Sequence, residues 1–252
     1  MTGNHQTLAY PPLPSNPPLR KGRCVAEGEW RGVGIGFGKL RETVCSDPLF
    51  QQAFALAKGR TIVIPDKLIN IFLIMKFFLK NIDQGDIIEF GSYKGGGAIF
   101  MAYIAKKLYP GSKVYALDTF MGMPPTDKNI DFHNKGDFAD VLFPDLQAYI
   151  QSIGLDNLFL VKGLFEDTAA EVIKKTNDIV MAHIDCDIYN AIYFSYDAVK
   201  PAMVNGGYII FDDPLSPTCL GAMEAVEDLV YERDHLHAEQ IYPHFVFRSG
   251  LA

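Results

Sequence analysis

Two apolar runs of this chain end in paired aspartates. The segment MAHIDCDIYNA, residues 181–191, carries Asp185 and Asp187 one residue apart, and GGYIIFDD, residues 206–213, ends in Asp212 and Asp213. A D-x-D pair can hold a metal and a sugar nucleotide for glycosyl transfer, and it can equally be a strand end serving other chemistry. If the two runs are adjacent parallel strands, these carboxylates converge. Clustered carboxylates repel each other and raise each other's pKa unless a cation neutralises them. Their oxygens suit a hard ion such as Mg²⁺. The competing reading is plainer: Asp212-Asp213 caps the next helix and Asp187 is solvated.

A second group of residues lies upstream. EFGSYKGGG places Glu89, Gly91, Ser92, Tyr93 and Gly95 on a tight turn from strand to helix. Glycines let the backbone approach a ligand there, and the following helix offers free N–H groups. A dinucleotide fingerprint starting at Gly91 needs glycine at 93, and Tyr93 weakens that reading. The next apolar run ends in Asp118, Thr119 and Phe120. A carboxylate one strand over from a glycine turn can accept hydrogen bonds from both ribose hydroxyls. Together the two features suggest an adenosine-type ligand. Without a basic phosphate cluster, S-adenosylmethionine fits better than a nucleoside triphosphate. Phe165, Glu166 and Asp167, in GLFEDT, can frame the adenine or cap a helix. His133 sits in the polar loop DFHNKGDF, as a base reaching over the site or as a surface residue. His183 lies inside a strand and reads as a core histidine.

These residues need elements to position them. From residue 86 the pattern alternates: strands at DIIEFG, KVYALDTF, LFLVKG, IVMAHID and GGYIIFDD; helices at GGAIFMAYIAKKL, DFADVLFPDLQAYIQSIG, DTAAEVIKKT, YNAIYFSYDAVKPAM and CLGAMEAVEDLVYERD; and a last strand pair at AEQIY and HFVFR. Pro144 marks a break or restart. Apolar strands alternating with helices predict a mostly parallel, Rossmann-like α/β sheet covered on both faces, with an antiparallel last strand. In such sheets ligands bind at the carboxyl ends of the strands. The run LINIFLIMKFFL at 68–79 reads as a buried helix started by Pro65-Asp66, too short and too interrupted by lysine to span a membrane.

The chain has 252 residues, 48% of them hydrophobic, and a net charge of -7. That charge argues against nucleic acid. The division expected is an N-terminal arm and cap at 1–60 and a cofactor-binding domain at 61–252. YPPLPSNPPLRKG, within the first 23 residues, is an oligomer arm or a loose extended tail. RGVGIGFGK fails as a P-loop, because Val33 stands where glycine is needed and Leu40 where Ser or Thr is needed. Cys24, Cys45, Cys186 and Cys219 are scattered and suggest neither a disulfide framework nor a zinc site. With no secretory signal at the start, the expectation is a cytoplasmic protein with reduced thiols.

In order, IIEFGSYKGGG, ALDTFMGMPP, KGLFEDT, HIDCDIY and GGYIIFDD resemble the macrocin O-methyltransferase (TylF-type) family. The resemblance covers roughly residues 60–235. It implies a class I S-adenosylmethionine-dependent enzyme that methylates a small-molecule hydroxyl, often on a sugar of a natural product, with Mg²⁺. By motif it implies Glu89, Gly91, Tyr93 and Gly95 around the methionine part, Asp118 at the ribose, and Phe165 to Asp167 by the adenine. Asp185, Asp212 and Asp213 become metal ligands. Asp185 is the first candidate for the base and His133 the second. Pro214 stands where the family often has an aromatic residue, and PLSPTCLGA departs with it, beside the expected acceptor pocket. The rivals are a D-x-D glycosyltransferase, an NAD oxidoreductase and a non-catalytic nucleotide-binding module.

Overall fold

The computed structural model describes residues 39–82 and 84–250. The proline-rich arm and most of the RGVGIGFGK segment lie outside the described residues. The chain divides into two units at Cys45/Ser46. Of the first, the structure describes only the helix α1 (Lys39–Cys45), closed locally by the Thr43 hydroxyl donating to the Lys39 carbonyl.

The second unit is built on six strands: β1 (Asp86–Phe90), β2 (Val114–Asp118), β3 (Leu158–Lys162), β4 (Ile179–Ile184), β5 (Met203–Phe211) and β6 (Phe245–Arg248). Their order across the sheet is β3-β2-β1-β4-β5-β6, with only β6 antiparallel, on β5. Every residue of β1 and β4 is buried. That is why both read as mostly apolar rather than alternating runs, with Asp86, Glu89 and His183 as buried exceptions. One face is covered by α6 (Phe165–Lys175), α7 (Tyr189–Val199) and α8 (Leu220–Val226), whose Ala169, Ile192, Tyr196 and Ala225 share a core with Ile88, Leu117 and Ile209. A separate layer joins α2 (Pro48–Ala57), α3 (Pro65–Leu73) and α4 (Gly96–Leu108) through Phe50, whose ring meets Phe72 and Phe100 edge-on at 5.4 and 5.5 Å. Among the described residues no helix is long and apolar enough to cross a membrane.

Three local expectations change. The run at 68–79 is helical but not uniform: α3 passes into a π-helical turn at Ile74–Phe78 and a 3₁₀ turn at Leu79–Asn81. α5 (Phe143–Ser152) begins at Phe143 with Pro144 in its first turn, so residues 137–142 belong to the preceding loop. Proline is tolerated there because that N–H has no partner within the helix. Of the last strand pair only β6 forms; Gln240 makes a single bridge to Val246.

The order of the sheet fixes where a site can be. The chain runs outward from β1 to β3 and then crosses to β4 on the other side of β1, so the crevice opens between the ends of β1 and β4. Gly91 makes that junction tight: its φ is +85°, and a Cβ there would overlap the Asp185 carbonyl oxygen. Gly91→Ala is expected to cost roughly 3 kcal/mol or more, since backbone strain and collision add. Gly136→Ala, at φ +90° with open space around it, should cost about 1–2 kcal/mol. Urea midpoints for the two variants measure the difference; equal midpoints would contradict the junction.

Candidate active site

The turn after β1 is tied down from two sides. The Asp118 carboxylate, at the end of β2, accepts from the backbone N–H of Ser92 and of Tyr93, each at 2.8 Å, and from Phe120 N–H at 2.6 Å. Glu89, 1% exposed, accepts from the Ser92 hydroxyl on one oxygen and faces His183 Nδ1 at 3.1 Å on the other. Glu89 and His183 are register partners across β1 and β4. Burial works against a charged His183, but the Asp212 and Glu89 carboxylates on either side outweigh it and push it up to about 9. Its Nε2 faces Asp212 Oδ1 at 3.6 Å, beyond hydrogen-bond reach.

Asp185, Asp212 and Asp213 do converge: one oxygen from each lies within 4.8 Å of the others. Their environments differ sharply. Asp212 accepts from the Lys67 ammonium on Oδ2 and from His244 Nε2 on Oδ1 at 2.9 Å. Behind His244, Gln240 Nε2 donates to Asn70 Oδ1 at 2.8 Å, which leaves the Asn70 amide to donate to His244 Nδ1 at 3.0 Å. His244 therefore carries its proton on Nε2 and gives it to Asp212. Burial raises Asp212, but the His183 imidazole facing it, the bond from His244 and the Lys67 charge outweigh it and hold the carboxyl well below its ordinary range. Asp185 and Asp213 are pushed well above theirs, by burial first and then by neighbouring carboxylates.

A loop closes over this cluster. Between β2 and α5 the chain supplies Gly122, Met123, Pro124, Pro125, His133 and Phe138 to the cleft wall. Buried Asp131 pins it, accepting from Tyr189 N–H at the start of α7 at 2.9 Å. Phe138 meets the Tyr93 ring edge-on at 5.4 Å, and the Tyr93 hydroxyl donates to Asp140 at 2.6 Å. His133 is brought to Asp187, with Nε2 at 3.7 Å from Oδ1. The Cys219 thiol donates to that same oxygen at 3.2 Å. Burial, reinforced by Asp213 and Asp187, pushes the Cys219 thiol up to about 12.

One cleft of about 750 Å³ joins these parts, well within the range of small-molecule sites. Glu89, Gly91, Ser92, Tyr93, Asp118, Thr119, Phe165, Glu166, His133, Asp185, Asp212 and Asp213 all line it. Gly95, Phe120 and Asp167 do not. Gly95 is the left-handed N-cap of α4, and Phe120 is buried against Phe143 with ring centroids 4.8 Å apart. Leu215, Ser216, Pro217 and Thr218, from the loop that departs from the family pattern, form part of the wall. Sequence reasoning missed Lys67, Asn70, His244 and Gln240. Lys67 reaches Asp212 across 145 residues and Asn70 reaches His244 across 174, and no local motif signals either.

A mostly parallel sheet, a glycine turn after β1, an acidic residue ending β2 and a cleft at the switch point define a Rossmann-like, class I methyltransferase fold. Residues 57–238 match the macrocin-O-methyltransferase (TylF) family, and the chain belongs to it. It is 26% identical over 149 residues to an 8-demethyl-8-(2,3-dimethoxy-alpha-L-rhamnosyl)-tetracenomycin-C 4'-O-methyltransferase of Streptomyces olivaceus, covering 55% of this chain and 56% of that protein. It is 26% identical over 156 residues to a mycinamicin III 3''-O-methyltransferase of Micromonospora griseorubida, covering 57% and 61%. The chain thus spans less than two thirds of the length of these relatives. Among solved structures, the O-methyltransferase NovP superposes with a TM-score of 0.66 at 20% identity, over 83% of this chain and 94% of that one.

Lys67 is the nearest ammonium to the three carboxylates, and their fields raise its pKa against the opposing effect of its burial. Removing one partner of a buried pair leaves an uncompensated charge. Lys67→Met is expected to lower stability by about 3 kcal/mol in EDTA, with much of the loss recovered in Mg²⁺. Chemical denaturation with and without Mg²⁺ measures both. A variant as stable as wild type in EDTA would show that Lys67 does not neutralise the cluster.

Proposed function

We propose that this chain transfers a methyl group from S-adenosylmethionine to a hydroxyl of a sugar or sugar-bearing natural product, assisted by Mg²⁺. The single observation that carries the reading is one cleft with a glycine turn and Asp118 at one end and three converging carboxylates at the other. When bound, the cofactor supplies an activated methyl group and the cation supplies Lewis acidity toward the acceptor hydroxyl.

The residues present fit both groups. At the cofactor end, Gly97 lines the cleft and makes room for the Glu89 carboxylate, since a Cβ there would collide with Oε1. Asp118 spends one bond on each of three backbone N–H groups, and a carboxylate has about four acceptor sites, so one remains for a ribose hydroxyl. Tyr93 flanks the methionine end; Phe165, whose ring packs edge-on against Phe90 at 5.3 Å, and Glu166 flank the adenine end. For the metal, Asp185, Asp212 and Asp213 offer an all-oxygen donor set, as a hard dication prefers. The raised pKa of Asp185 and Asp213 is what a missing counter-charge produces, and a dication offsets it.

The acceptor lies beside the 215–218 segment, under the loop that carries His133. Holding oxygen and methyl carbon in line supplies ~7–11 kcal/mol of the barrier. In this reading Asp185 takes the hydroxyl proton; His133, whose Nε2 lies 3.7 Å from Asp187, is the second candidate when no metal holds that nitrogen. The sugar-modifying names of the two relatives support this acceptor class.

Calorimetry should detect binding of S-adenosylhomocysteine, weakened by roughly 1.5–3 kcal/mol in Asp118→Ala, the scale of bonds to a charged group. Absence of binding by wild type would sink the reading. Asp185→Asn should bind the cofactor nearly as well as wild type yet lose ~10²–10⁴-fold in kcat, read as labelled methyl transfer to glycosylated acceptors. Wild-type turnover should fall in EDTA and return with Mg²⁺. Undiminished turnover in verified metal-free buffer would remove the cation from the mechanism. Transfer of a sugar from a sugar nucleotide in place of the methyl group would favour the glycosyltransferase alternative.

A further inference from the structure

Beside the three carboxylates stands a cluster of different chemistry. His133 comes from the loop after β2, Asp187 from the end of β4 and Cys219 from the start of α8. Their Nε2, Oδ1 and Sγ atoms form a triangle with edges of 3.8 Å (Sγ to Nε2), 3.2 Å (Sγ to Oδ1) and 3.7 Å (Nε2 to Oδ1). A tetrahedral ion with bonds of about 2.0 Å to nitrogen and oxygen and 2.3 Å to sulfur has ligand–ligand edges of roughly 3.3–3.6 Å. The observed triangle brackets that size.

Two further features point the same way. His133 Nδ1 faces the Asp137 carboxylate at 3.4 Å, so the other ring nitrogen is left to face Asp187 and Cys219. A carboxylate behind a histidine is the usual support of a metal-bound imidazole, fixing its tautomer and orientation. Asp187 has φ +60°, a left-handed backbone that costs a non-glycine residue of order 1–3 kcal/mol and tends to persist where function requires it. The conformation is held by Asp213 Oδ2, which accepts from the Asp187 N–H at 2.8 Å.

We propose that His133, Asp187 and Cys219 form a second metal site, for a borderline-soft divalent ion of the Zn²⁺ class, with its fourth position open to the cleft. The mixed nitrogen, oxygen and sulfur set disfavours Mg²⁺, just as the all-carboxylate cluster favours it. His133 and Asp187 line the cleft and Cys219 lies buried behind them, so the open position faces the acceptor side. Binding displaces the thiol proton to solvent and joins three segments distant in sequence. The ion thus fastens the loop at 119–142 onto the sheet. The inference does not rest on the methyl-transfer reading, because its test needs neither cofactor nor acceptor.

Reduced, metal-free protein is titrated with Co²⁺ in the presence of excess Mg²⁺. A thiolate-to-cobalt charge-transfer band should appear, saturate at a single equivalent and be displaced by Zn²⁺, and Zn²⁺ should raise the melting temperature. Cys219→Ser and His133→Asn should lose the band and the thermal shift. Asp137→Asn should bind Co²⁺ ~10–100-fold more weakly, and Asp185→Asn should keep the band. Should Cys219→Ser fail to fold, His133→Asn in the surface loop carries the test. The proposal is overturned if wild type shows no sulfur band, or if the band survives either Cys219→Ser or His133→Asn.

Discussion

Asp212, Asp213, Asp185 and Asp187 stand at the ends of two neighbouring strands whose interiors are sealed from water. Like charges so placed cannot all ionise without help. The polar architecture around them is a response to that constraint. Lys67, from α3, and His244, from β6's leading edge, each take one oxygen of Asp212. Buried Asn70, oriented by half-buried Gln240, fixes the tautomer of His244. The result is one carboxylate held ionised, Asp212, beside three that burial and their neighbours push up, Asp185, Asp213 and Asp187. The proposed dication would relieve that repulsion.

The same strand ends couple the two halves of the cleft. Gly91 lets the turn after β1 touch the backbone of Asp185. Glu89 reaches across to His183, and His183 faces Asp212. Asp213 holds the backbone of Asp187. The glycine turn, the carboxylate cluster and the loop above them are therefore linked through short contacts on the strands. The proposed reaction would draw on that linkage, since reacting groups must be held to within a fraction of an ångström.

Much of this was legible in the sequence, for physical reasons. Strands buried on both faces are predominantly apolar, so β1, β4 and β5 stood out, and their polar ends marked the site. Pro65 announced a helix start, and Pro144, read as a break or restart, falls in the first turn of α5. What stayed hidden depends on contacts between distant segments. No local pattern marks Lys67 or Asp131, whose partners Asp212 and Tyr189 lie 145 and 58 residues away. His244 sat in a short terminal strand with no motif around it. The four cysteines looked scattered, yet folding carries Cys219 to within 3.8 Å of His133, 86 residues away. The chain at 238–242 read as a strand from its composition, but only Gln240 finds a ladder partner.

The proposal that matters most is that the strand-end carboxylates form a cation site facing a bound cofactor. Crystals grown with S-adenosylhomocysteine and Mn²⁺, an anomalous scatterer that substitutes for Mg²⁺ at oxygen sites, put it to the test. An anomalous peak bonded to Asp185, Asp212 and Asp213 is expected, with the cofactor's ribose on Asp118 and its sulfur directed toward the metal. A cofactor bound there with no manganese among the three carboxylates, and the Lys67 ammonium still the only cation on Asp212, would contradict it.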